Sequence, residues 1–229
     1  MTEEYQELEA TLLKLPQELR ERLFRRLRQE FSIHPLEAQW NTTAEDILEA
    51  ISRGSDLTHR GVRGMLAEAS FASNVIEKLK GWKDVTPPGN HTFDFLLEDG
   101  VGSVRIQVKN QRLEGGKPLV RRQKYFKPVY IVETQKTRSG QDSGEEKTRP
   151  YRFGELDLLA VCLYPSTGRW DTFLYTVANW LLPHERNNAW IATLQPIPMP
   201  PEPNDVWTDG LETGIAWLRS GVSKTVMPD

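Results

Sequence analysis

The fold is decided by residues 93–109, FDFLLEDGVGSVRIQVK. Asp99-Gly100 is a strong signal for a tight hairpin turn. From Ser103 to Lys109 the residues alternate strictly between polar and apolar, as in a strand with one buried face. The stretch is therefore expected to form two antiparallel strands joined by a two-residue turn, in which Glu98 pairs with Val101.

Cross-strand pairing decides which side chains share a face of this hairpin. Counting back from the turn, Asp94 is expected to pair with Arg105, and opposed residues point to the same side of a sheet. That side then also carries Gln107 and Lys109. The other side carries the apolar residues Phe93, Phe95, Leu97, Val104, Ile106 and Val108. A slip of one residue would bury the Asp94 carboxylate among them, which is costly.

The composition points to a globular chain in a reducing compartment. The chain has 229 residues, of which 38% are hydrophobic, which is enough for one well-buried core. Its single cysteine, Cys162, lies in the apolar run Leu158 to Leu163 and reads as a core residue. No apolar run approaches the length of a membrane span, and the acidic N-terminus is unlike a signal peptide. We therefore expect a soluble, cytoplasmic protein.

Charge is distributed unevenly along the chain. The formal net charge is −3, yet residues 105–152 contain 13 Lys and Arg against 5 Asp and Glu, a local excess of +8. A basic block inside an acidic chain indicates a localised site for a polyanion such as DNA. The arginines of the first segment, Arg20, Arg22, Arg25, Arg26 and Arg28, favour a solvated helix face over a DNA contact.

Helical and strand-like patterns follow one another in an order typical of an α/β or α+β fold with a central mixed sheet flanked by helices. We expect one domain with an N-terminal helical segment at 1–58, a core at 59–195 with a basic insertion at 111–150, and a proline-rich connector with a final helix at 196–229. Helices are predicted to about residue 31, at 44–52 and from 55–58 to about 80. Strands are predicted at 82–86, 92–98, 103–110, 129–134, 158–164 and 172–178.

The polar face of the hairpin carries the chemistry of phosphodiester hydrolysis. Mg²⁺ takes hard oxygen ligands, usually one or two carboxylates with waters and substrate phosphate. Asp94 supplies a carboxylate, and the side-chain oxygen of Gln107 and the backbone carbonyl of Val108 can complete the ligand set. Lys109 can orient the attacking water and stabilise the developing charge. Glu68, on the preceding helix, can add a second carboxylate. The alternative is that these residues form a solvated strand face.

At these residues the chain resembles the PD-(D/E)XK nuclease superfamily in its type II restriction-endonuclease-like form. The resemblance covers residues 59–110 well and extends less closely to Ala178. It implies a restriction-endonuclease-like core in which a helix precedes a three-strand meander. Asp94 matches the metal-binding aspartate, Lys109 the catalytic lysine and Glu68 the frequent helix glutamate. Gln107 stands where Asp or Glu is usual, as in Gln-x-Lys variants, and removes one negative charge from the site.

The basic segment after the hairpin is the candidate DNA-recognition region. Its cations and amides can contact phosphates or base edges. The candidate contacts are Arg105, Arg121, Arg122, Lys124, Lys127, Gln135, Lys136, Arg138, Arg149 and Arg152.

Together these features predict a Mg²⁺-dependent endonuclease acting on double-stranded DNA, with Mn²⁺ as an acceptable substitute. We expect a type II restriction enzyme of a restriction-modification system, acting as a homodimer because two strands require two sites. A junction-resolving or methylation-dependent nuclease of the same fold is the nearest competitor. A non-catalytic DNA-binding protein on a nuclease scaffold is the alternative from another class.

Overall fold

A computed structural model describes residues 2–122, 125, 127–136 and 149–227. The chain separates into two compact units, Met1–Arg60 and Gly61–Asp229, and each is described by itself. None of the described helices combines the length and apolar character needed to cross a membrane. Of the predicted basic insertion, Lys124 and residues 137–148, which include Arg138, lie outside the described residues.

The first unit is helical. It contains α1 (Glu3–Lys14), α2 (Gln17–Glu30), α3 (Pro35–Trp40), α4 (Ala44–Ser52) and the start of α5 (Asp56–Asn74). Pro16 separates α1 from α2 at the N-cap of α2, where its fixed backbone angle suits a helix start. The side chain of Thr43 accepts the backbone N–H of Asp46 at 3.1 Å and caps the start of α4.

The second unit is a mixed α+β structure, which confirms the predicted fold class. After α5 the chain continues through short strands and the two strands of the hairpin. Its strands are β1 (Lys83–Asp84), β2 (Phe95–Glu98), β3 (Ser103–Asn110), β4 (Leu113–Glu114), β5 (Lys117–Pro118), β6 (Val120–Arg121), β7 (Val129–Glu133), β8 (Leu158–Cys162), β9 (Phe173–Val177), β10 (Pro183–His184), β11 (Asn187–Ile191) and β12 (Leu194–Ile197). Two further helices are α6 (Tyr164–Thr167) and α7 (Leu211–Ser220).

The central sheet has five strands in the order β1-β2-β3-β8-β9. β3 and β8 are parallel and the other neighbours are antiparallel, so the sheet is mixed. A second sheet has the order β12-β7-β6, and a bridge between Gln111 and Val132 joins the end of β3 to β7. The basic insertion therefore begins directly beside the end of β3.

The core lies on both sides of the central sheet. Every residue of the inner strand β8 and of the edge strand β9 is buried, so both faces of this part of the sheet are covered. Phe71 of α5 packs against Phe95 and Phe173, with ring centroids 5.3 and 5.4 Å away. On α7, a Cβ at Gly214 would lie 3.4 Å from Tyr175, so this glycine permits close packing of α7 on β9. Cys162 is buried as predicted, and burial raises the pKa of its thiol to about 11.

The predicted pairing of the hairpin is wrong by two residues. Glu98 pairs with Ser103 rather than Val101, and Leu96 rather than Asp94 lies opposite Arg105. The loop is longer than two residues because the side chain of Asp99 accepts the N–H groups of Val101 and Gly102, at 2.9 and 3.0 Å. Since the error is even, the predicted faces are retained, and Asp94 comes to lie opposite Gln107.

Candidate active site

Alternation along β3 places the candidate side chains. Val104, Ile106 and Val108 are buried in the apolar core, while Arg105, Gln107 and Lys109 point to the opposite face. Gln107 is 2% exposed although it is polar, so its amide must find partners inside the protein. The Gln107 side chain is therefore a buried polar group on a core strand.

Asp94 and Gln107 are in direct contact. The amide nitrogen of Gln107 donates to Oδ2 of Asp94 and, at 3.2 Å, to the backbone carbonyl of Val108. The backbone N–H of Val108 donates to the same Asp94 oxygen at 2.8 Å. The Asp94 carboxylate and the Val108 carbonyl, two of the predicted ligand groups, thus meet at the Gln107 side chain. The atom of Gln107 at this point is its amide nitrogen, whereas its predicted ligand atom is the side-chain oxygen.

Lys109 and Glu68 lie within electrostatic reach of Asp94. Burial raises the pKa of Glu68 to about 7, and the negative charge of Asp94 adds to this rise. Burial also raises the pKa of Asp94, although Lys109 opposes the shift. Burial lowers the pKa of Lys109, against the opposing charges of Asp94, Glu68 and Glu133. Such displaced pKa values are typical of catalytic groups.

Neither Glu68 nor Lys109 is committed to a close partner. Within the described part of the chain, no carboxylate oxygen lies within 4 Å of the Lys109 ammonium, and no group donates a hydrogen bond to Glu68. The Lys109 ammonium instead lies 5.5 Å from the ring centre of Tyr151. Both side chains are therefore available to a substrate or a cation.

Three residues beside the site were missed as site residues by the sequence argument. Tyr151 is buried, and its ring centre lies 5.7 Å from the ammonium of Lys136 as well as 5.5 Å from that of Lys109. Glu155 accepts the N–H of Arg152 and pairs with Lys136, each at 2.8 Å. Glu133 acts electrostatically on Lys109. The sequence does show that the basic insertion and the residues just after it combine cations with aromatic side chains. It does not show the contacts themselves, because these join residues that are distant in the chain.

The donor atoms fit a hard divalent cation with few protein ligands. Among the described residues, no group of three or more His, Cys, Asp or Glu side chains is placed to hold a metal ion. Mg²⁺ does not need such a cluster, since one or two carboxylates with waters and phosphate oxygens suffice. Asp94 and the Val108 carbonyl meet at one point, and Glu68 is the second carboxylate nearby. This set suits Mg²⁺ or Mn²⁺ better than a thiophilic metal.

The structure divides the candidate DNA contacts into exposed and engaged side chains. Arg121, Arg122, Lys127 and Arg149 are exposed, and Arg152 and Gln135 are half-buried. The guanidinium of Arg105 pairs with Asp157 at 2.8 Å, Lys136 pairs with Glu155, and Gln135 donates to Glu133. The predicted contacts of all these residues with DNA stay predictions.

No protein-family model matches the chain, and no curated protein matches it. Among solved structures, the chain is similar to a bacterial homing endonuclease, I-Ssp6803I, with 16% sequence identity and a TM-score of 0.40. The alignment covers 73% of this chain and 96% of that one. We infer function from the geometry of the chain's own residues.

Proposed function

We propose that the protein is a Mg²⁺-dependent endonuclease that hydrolyses phosphodiester bonds of double-stranded DNA. We further propose that it is a type II restriction enzyme with a Gln-x-Lys form of the PD-(D/E)XK site, acting in the cytoplasm as a homodimer. The observation that carries the proposal is the meeting of Asp94, Gln107 and the Val108 carbonyl beside Lys109 and Glu68.

Each side chain has a role that follows from its surroundings. When bound, Mg²⁺ would supply charge stabilisation for the phosphate oxygens and the leaving oxygen. Asp94, Glu68, the Gln107 amide oxygen and the Val108 carbonyl are the residues that would hold it. The ammonium of Lys109 orients the attacking water and offsets the negative charge that develops on phosphorus-bound oxygens. Tyr151 limits the positions that this ammonium can take.

The basic insertion supports DNA as the substrate. Arg121, Arg122 and Lys127 are exposed on the segment that begins beside the end of β3, and Lys136 lies next to Tyr151 at the site itself. Cations in such positions bind phosphates of the duplex backbone. One site cuts one strand, so a duplex requires two copies of the chain.

Plasmid cleavage tests the proposal. The wild-type protein should nick or linearise supercoiled plasmid with Mg²⁺ and should not do so with EDTA. Asp94→Ala and Lys109→Ala should each lose this activity. Asp171→Ala is the matched control, because Asp171 pairs with the exposed Arg169 at 2.9 Å and takes no part in the site.

A mobility-shift assay on the same variants separates the enzyme from a non-catalytic DNA-binding protein. The proposed enzyme still binds duplex DNA when Asp94 is replaced, because the exposed cations are unchanged. A non-catalytic binding protein would give a different result. The wild type would then bind DNA without cleaving it, and neither EDTA nor Asp94→Ala nor Lys109→Ala would change the binding. Full cleavage by Asp94→Ala would reject this site.

A further inference from the structure

The Gln107 amide is fixed by two acceptors and no donor. Its nitrogen faces Oδ2 of Asp94 and the carbonyl of Val108, which are both acceptors, so only the NH₂ group can occupy this point. No described residue donates a hydrogen bond to the Gln107 side-chain oxygen. The side chain as a whole is 2% exposed.

We propose that the side-chain nitrogen of Gln107 takes the place of a cation between Asp94 and the Val108 carbonyl, and that the amide must turn over before a divalent cation binds. The two acceptors that hold the NH₂ group are those that a hard cation requires. Turning the amide directs its oxygen, instead of its nitrogen, toward the two acceptors, which is favourable only when a cation lies between them. The inference rests on the metal-dependent function proposed above. It explains how Asp94 and the Val108 carbonyl are kept hydrogen-bonded when no metal is bound.

Glutamine and glutamate should therefore have opposite effects in the two states of the site. A carboxylate at position 107 would have no hydrogen to donate and would repel Asp94, so the metal-free protein should be destabilised. With a cation present, the same carboxylate adds a negative ligand and strengthens binding. Compared with a glutamate at this position, Gln107 thus lowers the affinity for metal and raises the stability of the metal-free protein.

A second buried glutamine provides the matched control. Gln195 is 0% exposed, and its amide nitrogen donates to the carbonyls of Leu182 and Ala192 at 3.0 and 2.8 Å. Its oxygen accepts the N–H of Leu182 at 2.8 Å. Gln195 is satisfied by backbone groups alone, without a carboxylate partner. Gln195→Glu should therefore lose stability without gaining affinity for a cation.

Thermal unfolding of the full chain, in EDTA and across a titration of MgCl₂ or MnCl₂, tests the inference without reference to cleavage. In EDTA, Gln107→Glu should melt roughly 3–10 °C below the wild type. On titration it should recover, with half of its rise reached at a metal concentration about tenfold or more below that of the wild type. Gln195→Glu should melt lower in both conditions.

Gln107→Leu removes the amide without adding charge, and it keeps the test decisive if Gln107→Glu fails to fold in EDTA. It should fold, melt below the wild type and lose most of the metal-induced rise. Gln107→Glu melting with the wild type in EDTA, or needing as much metal, would overturn the inference alone. The absence of a metal-induced rise in the wild type and every variant would overturn the proposed metal dependence as well.

Discussion

Two carboxylates, one in each unit of the chain, are held in opposite ways. In the helical unit, Glu37 accepts backbone N–H groups from Ile33, His34 and Ala44 and pairs with Arg28 at 2.5 Å. These donors lower the pKa of Glu37 to about 2. In the second unit, Asp94 accepts hydrogen bonds from just two groups among the described residues, the Gln107 amide and the Val108 N–H, and burial raises its pKa.

The difference separates a structural acid from a candidate catalytic one. Glu37 is the only buried described residue in the stretch 2–60, where no described apolar side chain is buried, so its hydrogen bonds organise the turns between α2, α3 and α4. Asp94 lies beside a full core, where packing alone stabilises the fold and the carboxylate can be left short of donors. The stability that the apolar core provides thus permits the Asp94 carboxylate to remain buried with few hydrogen-bond donors, as is typical of catalytic groups.

The largest expected effect is on catalysis. Asp94→Asn should lower the rate of plasmid cleavage about a hundredfold or more, because it removes the charged ligand while keeping the side-chain shape. Glu37→Gln should leave the rate per folded molecule unchanged and lower the melting temperature instead. Cleavage rates and circular dichroism melts of both variants measure this. An equal loss of cleavage activity in Asp94→Asn and Glu37→Gln would contradict the distinction between a catalytic Asp94 and a structural Glu37.

The second-largest expected difference between the two units is the loss of stability when an apolar side chain is truncated. Leu159→Ala in the central strand β8, where the side chain is 0% exposed, should cost about 2–5 kcal/mol of the free energy of unfolding. Leu27→Ala in α2, where the side chain is 44% exposed, should cost within about 0.5 kcal/mol. Urea unfolding curves give both values. A large loss for Leu27→Ala would show that this helix face is covered in solution.

The arginines of the two units should differ in DNA binding. Replacing Arg121 and Arg122 together with alanine should weaken duplex binding and reduce the slope of affinity against salt by about 2, one for each lost phosphate contact. The paired control replaces Arg25 and Arg26 of α2 and should leave the slope unchanged. Fluorescence anisotropy across a salt series provides the slopes. A change confined to the α2 pair would move the DNA contact to the helical unit.

The smallest effect concerns acid stability. Because the pKa of Glu37 is lowered on folding from 4.5 to about 2, its contribution to stability is complete above pH 4.5 and is lost as the pH falls through about 2. The melting temperatures of wild type and Glu37→Gln should therefore differ at neutral pH and converge over this range. A constant difference would mean that the charge of Glu37 does not stabilise the helical unit.

The sequence predicted the faces of the hairpin better than its pairing. Strand alternation has a period of two, so the burial of Val104, Ile106 and Val108 fixes the polar face even when the register is wrong by two residues. The side-chain hydrogen bonds of Asp99 lengthen the turn, and a turn dipeptide alone does not indicate them. Local patterning therefore predicted which side chains meet but not which residues pair.

Other features depend on contacts that sequence patterns do not report. β3 was predicted with its observed bounds, Ser103–Asn110, because its alternation is uninterrupted. The long helix was predicted to reach about residue 80 but ends at Asn74, where a short 3₁₀ turn, Ile76–Lys78, follows. The contact of Tyr151 with Lys109 joins residues 42 positions apart through β7 and the basic insertion, so only the fold brings them together.

The most direct test of the account is the single-turnover rate of plasmid cleavage by Lys109→Met. Lys224→Met is the matched control. The Lys224 ammonium also lies near an aromatic ring, 5.7 Å from the ring centre of Trp180, but it donates a hydrogen bond to the backbone carbonyl of Asp205. If Lys109 orients the attacking water, Lys109→Met should cleave at a rate about a hundredfold or more below the wild type while still binding duplex DNA, and Lys224→Met should cleave at the wild-type rate. A wild-type rate for Lys109→Met would contradict the account.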